Sequence, residues 1–438
     1  MINKLKSYTQ HQGFMKYFKN TSWLFFERIL KMIIGFFIIV LLTRYLGPEK
    51  FGLLSYAQSY VGIFIAFATL GIDVILVREI TKDKKNSNKL IGTAFFLKIF
   101  VSIFAIFIIF IINSFMSDNE AVLLISIISF ILFFQSFNTI DNFFQANVIS
   151  KYSVLVNTFA FILSASIKLA LIYLETDLIY FAYALVLDSI FIVIGYIYIY
   201  TKQKQSLLKW RFDKGIAIFF LKSGWPLMLV ALAAFIYTRT DQIMLKHMVD
   251  NEAVGNYAVA IKLSEVFYFV PLLIAQSIFP KIIEMKEKSE KEYFSLLEKL
   301  YKLVVWSAIP IAMIFFLFSD TIVSILYGSQ FSEASSVLSI LAFAIVFNAI
   351  GIITTKVLYV EHYERKYLYR SILGVFVNIG LNFYLIPLYG LNGAAIATLI
   401  TLFIIYYIYD VFDRDLHRFY YLKFIGFIPI KAKELNEK

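Results

Sequence analysis

Long apolar runs, separated by short polar turns, are the feature that most constrains how this chain can fold. A helix that crosses the hydrocarbon core of a bilayer needs about 20 predominantly apolar residues. Twelve runs are of that order, at about 22–46, 52–80, 90–113, 121–145, 153–174, 178–200, 216–246, 253–283, 301–319, 333–357, 369–388 and 391–412. Membrane-spanning barrels use alternating segments of about ten residues instead. The continuous runs therefore predict an all-α integral membrane protein with twelve transmembrane helices.

The composition supports a membrane protein and argues against several kinds of chemistry. Hydrophobic residues make up 60% of the 438 residues and charged residues only 16%, against about half and about a quarter in soluble domains. There is no cysteine, which excludes a disulfide, a thiolate nucleophile and a cysteine metal site. No P-loop, dinucleotide fingerprint or HExxH motif occurs. We therefore expect no enzymatic activity, no cofactor and no bound metal.

Lysine and arginine are concentrated in every second connection between the runs, whereas the other connections are short and acidic or neutral. The basic connections lie at 82–89, 202–214, 286–302 and 365–370, and the others include 117–120, 175–177, 249–253 and 328–334. The net charge of +11 therefore indicates membrane orientation rather than a nucleic-acid partner. The positive-inside rule predicts a multi-pass protein of the cytoplasmic membrane with both termini in the cytoplasm.

The basic connection also divides the chain into two halves of six runs. Residues 51–80 align without gaps on residues 254–283, so that Gly52 falls on Gly255 and Phe64 on Phe267. An even number of spans in each half gives the repeats the same orientation, as in transporters built from parallel repeats. The predicted organisation is a cytoplasmic amphipathic segment, a six-helix lobe, a basic linker, a second six-helix lobe and a basic cytoplasmic tail, at 1–21, 22–200, 201–215, 216–412 and 413–438.

Three cations within the runs are candidates for binding an anionic substrate. Arg239 and Lys262 lie on neighbouring predicted helices, and Arg28 lies in the first helix. A charge in the hydrocarbon is costly unless it is paired or hydrated. One interpretation is a hydrated, anion-binding cavity. The alternative is a structural pair of Lys262 with Glu265, together with side chains of Arg239 and Arg28 that extend to the interface.

The carboxylates within the runs are candidates for ion coupling or for structural pairing. Asp73, Asp241 and Glu265 are the candidates for coupling to H⁺ or Na⁺, because intramembrane carboxylates serve that role in transporters. Lys168 and Asp188 are predicted to pair between the fifth and sixth helices, since each is at a similar distance from the turn that joins them. Lys98 is near an inner helix end and is expected to extend to the headgroups.

Four stretches carry a family resemblance: LGPEKFGLLSYAQS, LGIDVILVREI, YTRTDQIMLK and VGNYAVAIKLSEVFYFVPLLIAQSIFPKII. They resemble the Wzx family, the flippases of lipid-linked O-antigen and capsule repeat units. This family belongs to the MOP superfamily, which also contains lipid II flippases and MATE exporters. The resemblance implies a MATE-like, V-shaped bundle of two lobes around a central cavity lined by the first, second, seventh and eighth helices.

The resemblance also implies the substrate and partners. The substrate would be undecaprenyl diphosphate carrying an oligosaccharide, which crosses from the inner to the outer leaflet by alternating access. Cations in the cavity hold the diphosphate or acidic sugars, and Arg239, Asp241, Lys262 and Glu265 fall in the corresponding stretches. The partners are then the lipid-linked oligosaccharide and membrane lipids, with an association with polysaccharide polymerase and glycosyltransferases compatible with that role. We expect a monomer.

Three other functions stay open at this point. A cation-coupled drug exporter of the MATE type should favour carboxylates over cations in its cavity, which Arg239 and Lys262 argue against. A polysaccharide polymerase or ligase is disfavoured because the outer connections leave little room for an active-site loop. A channel is disfavoured because no pore-lining repeat is evident.

Overall fold

The computed structural model describes residues 12–428, and this part of the chain is helical almost throughout and contains no β-strand. Residues 1–11 of the predicted amphipathic segment and residues 429–438 of the predicted tail lie outside the described residues. The α-helices, in chain order, are α1 (Gln12–Ala68), α2 (Asp73–Lys82), α3 (Ser87–Asn113), α4 (Asn119–Ser129), α5 (Ile131–Gln135), α6 (Asn138–Ala146), α7 (Lys151–Tyr173), α8 (Leu178–Lys202), α9 (Lys214–Met248), α10 (Asn251–Phe267), α11 (Phe269–Lys288), α12 (Glu290–Tyr327), α13 (Glu333–Val360), α14 (Glu364–Phe403), α15 (Tyr409–Phe412) and α16 (His417–Gly426). A π-helix, Ile404–Ile408, joins α14 to α15.

Ten helical stretches of the described chain are long and apolar enough to cross a membrane. Two of them, Ser22–Lys82 and Glu364–Phe412, each contain two of the predicted runs. Both are interrupted by a glycine with non-helical geometry between the runs, Gly47 (φ 72°) and Gly390 (φ 57°). The all-helical membrane architecture is therefore confirmed, whereas the number of twelve spans stays a prediction.

Several predicted helices are broken where the sequence indicated continuity. The second run is interrupted before α2, where Leu70 and Gly71 both have positive φ. A Cβ at Gly71 would lie 2.4 Å from the carbonyl oxygen of Gly224, so the break packs directly against the backbone of α9. The eighth run is divided between two helices. The helix α10 ends at Phe267 and α11 begins at Phe269, two residues before Pro271, which has no N–H to donate.

The described chain divides into two compact units. The first contains the described residues up to Leu46 and Ala57–Leu232, and the second contains Gly47–Tyr56 and the described residues from Ala233 onward. The division falls inside α9 and differs from the predicted linker at 201–215. Residues 201–215 belong to the first unit, where the ring centroids of Trp210 and Phe95 lie 4.8 Å apart and Trp210 Nε1 donates to Tyr200 Oη at 3.1 Å. These contacts anchor the linker in the first unit.

Within the first unit, connections predicted to be on one side of the membrane lie at one end. Asn20 Nδ2 donates to Ser150 Oγ at 3.1 Å, and the backbone N–H of Asp213 donates to Thr93 Oγ1 at 3.0 Å. At the other end, Tyr45 Oη donates to the carbonyl of Thr176 at 2.8 Å. The pairing of connections agrees with the alternation of basic and non-basic loops.

The second unit has the same arrangement of its connections. At the basic end, Lys286 Nζ lies 2.6 Å from Glu361 Oε2, and Arg418 pairs with Glu290. At the opposite end, the backbone N–H of Ala334 donates to Asn256 Oδ1 at 3.1 Å. In each unit taken by itself, the basic loops are therefore neighbours in space.

A buried charge cluster joins α14, α15 and α16 within the second unit. Arg370 donates to one oxygen of Asp410, and Lys423 Nζ lies 2.6 Å from the other. All three side chains are at most 1% exposed. Burial lowers the pKa of Lys423 to about 8, although Asp410 favours its charged form. The predicted tail thus contributes a packed helix to the second unit rather than only a basic extension.

Replacing Asp410 with asparagine should strongly destabilise the protein, because two buried cations would lose the carboxylate between them. Removing one partner of a buried ion pair costs about 3–5 kcal/mol. Thermal unfolding of Asp410→Asn in detergent measures this loss. Asp415→Asn is the matched control, since Asp415 also pairs with a lysine but its side chain is 62% exposed. Equal melting temperatures for the two variants would contradict a stabilising role of the cluster.

Candidate functional site

Arg239 on α9 and Glu265 on α10 form the ion pair at the centre of the candidate site. Arg239 Nη2 lies 2.8 Å from Glu265 Oε1, and the two side chains are 26% and 37% exposed. Lys262, which is half-buried, lies three residues before Glu265 on the same helix. Arg239 is therefore held by a carboxylate rather than extended alone to the interface. The second unit brings together three of the predicted site residues.

Arg28, the third predicted cation, belongs to the first unit. Its residue is exposed on α1. Near it, Lys31 Nζ lies 2.8 Å from Glu27 Oε1, as the spacing of four residues predicts. The three predicted substrate-binding cations are thus distributed over the two units, with Arg239 and Lys262 in one and Arg28 in the other.

Asp241, two residues after Arg239 on α9 and therefore on a different face of that helix, has a different environment. It is fully buried and accepts hydrogen bonds from four neutral side chains of the second unit. The donors and their distances are Tyr257 Oη at 2.5 Å, Thr398 Oγ1 at 2.5 Å, Asn382 Nδ2 at 2.5 Å and Asn378 Nδ2 at 3.0 Å. Two of the donors contact each carboxylate oxygen, so the hydrogen-bonding requirement of this buried polar group is met by neutral side chains.

A small cavity lies beside Thr398, one of the four donors to Asp241. Its volume is about 50 Å³, and its lining also includes Glu265, Ser264 and Tyr268. The side-chain oxygen of Asn382, next to Asp241, is buried without a hydrogen-bond partner. Carboxylate, amide and hydroxyl oxygens suit a small hard cation or a proton. Within residues 12–428 no group of three or more His, Cys, Asp or Glu residues could hold a metal.

The sequence indicated Asp241 but not its partners. Tyr257 lies 16 residues away, while Asn378, Asn382 and Thr398 lie 137 to 157 residues away. A signal was present: two asparagines four residues apart in an apolar helix place two amides on one face. Their target, however, depends on the packing of α14 against α9.

Asp73 is at the centre of a second polar cluster, which lies in the first unit. It is the first residue of α2, directly after the break, and not a position in the middle of a helix as the run predicted. Lys98 pairs with it, and Asn142 Nδ2 donates to it at 2.6 Å. Lys98 is 2% exposed, so the expectation that it extends to the headgroups is wrong. A buried ammonium needs a partner, and the helix break supplies one.

Lys168 and Asp188, the predicted structural partners, both lie in the first unit. Their helices, α7 and α8, pack together, and the two charges interact electrostatically. Both residues are described, yet no ion pair within 4.0 Å joins them, and Asp188 Oδ1 is buried without a hydrogen-bond partner. A structural partnership at longer range stays a prediction.

These features define a class: a multi-pass, all-helical membrane protein with ion pairs and polar clusters inside two helical units. The model of the polysaccharide biosynthesis protein family matches residues 17–286, more than half of the chain, and the chain belongs to that family. The model of the lipid II flippase MurJ family matches residues 256–425.

Individual proteins agree with this placement. The capsular polysaccharide biosynthesis protein CapF of Staphylococcus aureus is 26% identical over 86% of this chain and 94% of its own length. Among solved structures, an inward-facing MATE multidrug resistance transporter of the MOP superfamily has a TM-score of 0.71, with 16% identity over 90% of this chain and 95% of that one. The inward closed lipid II flippase MurJ has a TM-score of 0.70, with 18% identity over 93% and 90% of the two chains. The MATE-like fold is therefore confirmed.

Proposed function

We propose that this protein is a flippase that carries lipid-linked oligosaccharides from the inner to the outer leaflet of the cytoplasmic membrane by alternating access. The observation that carries the proposal is membership of the polysaccharide biosynthesis family, supported by the lipid II flippase match over the C-terminal part of the chain. Undecaprenyl diphosphate bearing an oligosaccharide repeat unit is the proposed substrate. The protein would move it without making or breaking a covalent bond, acting as a monomer beside the enzymes that assemble the polysaccharide.

The ion pair of Arg239 suits an anionic passenger. A guanidinium has five N–H donors in a planar fork, and Arg239 directs Nη2 to Glu265. A phosphate oxygen can compete for the same fork, because arginine binds carboxylates and phosphates with similar geometry. Lys262 adds a second positive charge one turn away on α10. The substrate diphosphate would replace the Glu265 carboxylate as the partner of Arg239. This contact would offset part of the hydration free energy that the diphosphate loses when it leaves water.

The proposed orientation has the basic loops in the cytoplasm. Reporter fusions after residues 86, 207 and 288 should be cytoplasmic, and fusions after 118, 176 and 250 should be external, because lysine-rich and arginine-rich loops are retained inside. Alkaline phosphatase activity reports the external sites and green fluorescence the cytoplasmic ones. An external fusion after residue 207 would contradict the six-plus-six arrangement.

Arg239→Ala should abolish most surface polysaccharide, and Arg239→Lys should retain part of it because lysine keeps the charge but loses the fork. We expect a decrease of about tenfold for alanine, which corresponds to about 1.4 kcal/mol and lies at the lower limit for a charge-assisted contact. Surface polysaccharide is measured in cells that lack their own flippase, at equal membrane abundance. Arg78→Ala, which removes an exposed arginine of α2, is the control.

A double variant separates binding from structure. If Arg239 only neutralises Glu265, Arg239→Ala combined with Glu265→Gln should regain activity, because no unpaired carboxylate is left. If Arg239 holds the substrate, the double variant should stay as inactive as Arg239→Ala. Full recovery would therefore contradict the proposed role of Arg239.

A cation-coupled drug exporter is the second candidate, because the MATE transporter shares the fold and Asp241 is a buried carboxylate. Arg239 and Lys262 would repel a cationic drug. Drug resistance conferred by the wild-type protein in the same cells, without restoration of surface polysaccharide, would favour this candidate.

We also propose that transport is coupled to Na⁺ or H⁺ at Asp241. The support is a fully buried carboxylate beside an unpartnered amide oxygen, a place where a cation or proton would complete the contacts. Asp73 and Glu265 are less suitable, since each already has a cationic partner.

Asp241→Asn should keep the shape of the site but remove the charge that attracts a cation. Flipping in proteoliposomes should then lose its dependence on an imposed Na⁺ or pH gradient. Asp320→Asn, at an exposed position of α12, should behave like the wild type. An unchanged gradient dependence in Asp241→Asn would rule out coupling at this residue.

A further inference from the structure

An apolar groove lies between α7 and α8, within the first unit and away from the sites described above. Its volume is about 360 Å³, and its lining residues are apolar or aromatic, among them Leu155, Phe159, Leu163, Phe191, Ile194 and Tyr198. Phe159 and Ile194 are 70% and 59% exposed. The groove is therefore open to the medium around these helices, which in a membrane-spanning segment is hydrocarbon.

Gly195 explains why the groove forms at this place. A Cβ at Gly195 would lie 2.6 Å from Val156 Cγ1, closer than side chains tolerate. The two helices therefore approach each other closely at this one turn. Larger side chains on the flanking positions, Leu155 and Ile194, project to the side and border the open space.

One end of the groove is cationic. Lys151 precedes Leu155 by four residues on α7, and Lys202 follows Tyr198 by four residues on α8, so each lysine lies about 6 Å along the helix axis beyond the lining. Both lysines are exposed. Lys202 Nζ lies 5.8 Å from the centre of the Tyr198 ring. The pair of lysines is at the basic end of the first unit, where the inner-leaflet headgroups would be in the proposed orientation.

We propose that this groove holds the polyisoprenoid tail of the lipid-linked substrate before transport, with the diphosphate beside Lys151 and Lys202 in that state and bound at Arg239 only in a later one. The proposal rests on the proposed flippase function. Two lysines at the mouth complement a diphosphate, which carries more charge than the single phosphodiester of a membrane phospholipid. The branched and aromatic lining supplies packing contacts, which are what distinguishes one hydrocarbon chain from another inside a bilayer.

The test uses the full-length protein in nanodiscs of zwitterionic lipid and a polyisoprenoid diphosphate with a photoreactive group in its tail. Cross-linked peptides are mapped by mass spectrometry. Labelling should fall on α7 and α8. Ile194→Trp, which fills the groove, should reduce labelling by about threefold. The expected decrease is small because a tail displaced from the groove returns to the lipid and loses only its packing contacts. Ile162→Trp, on α7 but outside the lining, should label like the wild type. Leu155→Trp serves as a second groove-filling variant if Ile194→Trp does not fold.

Variants of the two lysines and competition by unlabelled lipids test whether the ligand is a polyisoprenoid diphosphate. Lys151→Ala with Lys202→Ala should also reduce labelling, whereas Lys204→Ala with Lys209→Ala, in the following loop, should not. Unlabelled polyisoprenoid diphosphate should compete, and phosphatidylglycerol should not. Equal competition by phosphatidylglycerol, or unchanged labelling in both groove-filling variants, would overturn the proposal.

A cell assay distinguishes this failure from failure of the proposed function. If the wild-type protein restores surface polysaccharide while the groove-filling variants label normally, the groove assignment is wrong and the flippase function stands. If the wild-type protein restores none, the flippase function is contradicted, and with it the assignment of the groove to a substrate tail.

Discussion

Hydrocarbon offers no hydrogen-bond partner, and every polar group within a span has to find one inside the protein. The backbone meets this requirement by forming long helices. Three carboxylates meet it in small clusters: Asp73 with Lys98, Asp241 with its four neutral donors, and Asp410 with two cations. Each cluster closes within one compact unit. The positions of these clusters determine where the helices can break and which polar groups remain available to a passenger.

Helix breaks and polar clusters occur together. The break at Leu70 and Gly71 places Asp73 at the start of a new helix, and the break at Tyr268 follows Glu265, whose carbonyl accepts the N–H of Tyr268 at 3.1 Å. A helix end leaves backbone groups unpaired, and these are tolerated at membrane depth only where they are buried in protein or lie against water. The candidate site therefore lies where the chain has departed from regular helix, which is where a hydrated head could be accommodated.

The sequence predicted what depends on local composition. Apolar length predicted the spans and the membrane class, and charge alternation predicted which loops are neighbours within each unit. It did not predict features that arise from distant contacts. Lys98 looked like a residue near an interface, but its partner Asp73 is 25 positions earlier and accessible only through the break. Three of the four donors to Asp241 come from a helix more than 130 positions away, and no local pattern connects them to Asp241.

The contact between Gly52 and Gly255, both in the second unit, has a consequence for the origin of the two halves. A Cβ at Gly52 would lie 1.8 Å from the carbonyl oxygen of Asn251, and one at Gly255 would lie 2.0 Å from that of Pro48. These glycines are also the positions that the internal alignment makes equivalent. If the halves descend from one duplicated segment, the two glycines have not been free to diverge separately, because a side chain at either one would collide with the segment that carries the other. The surviving similarity at this point is then maintained by a single contact, in which neither position has room for a side chain.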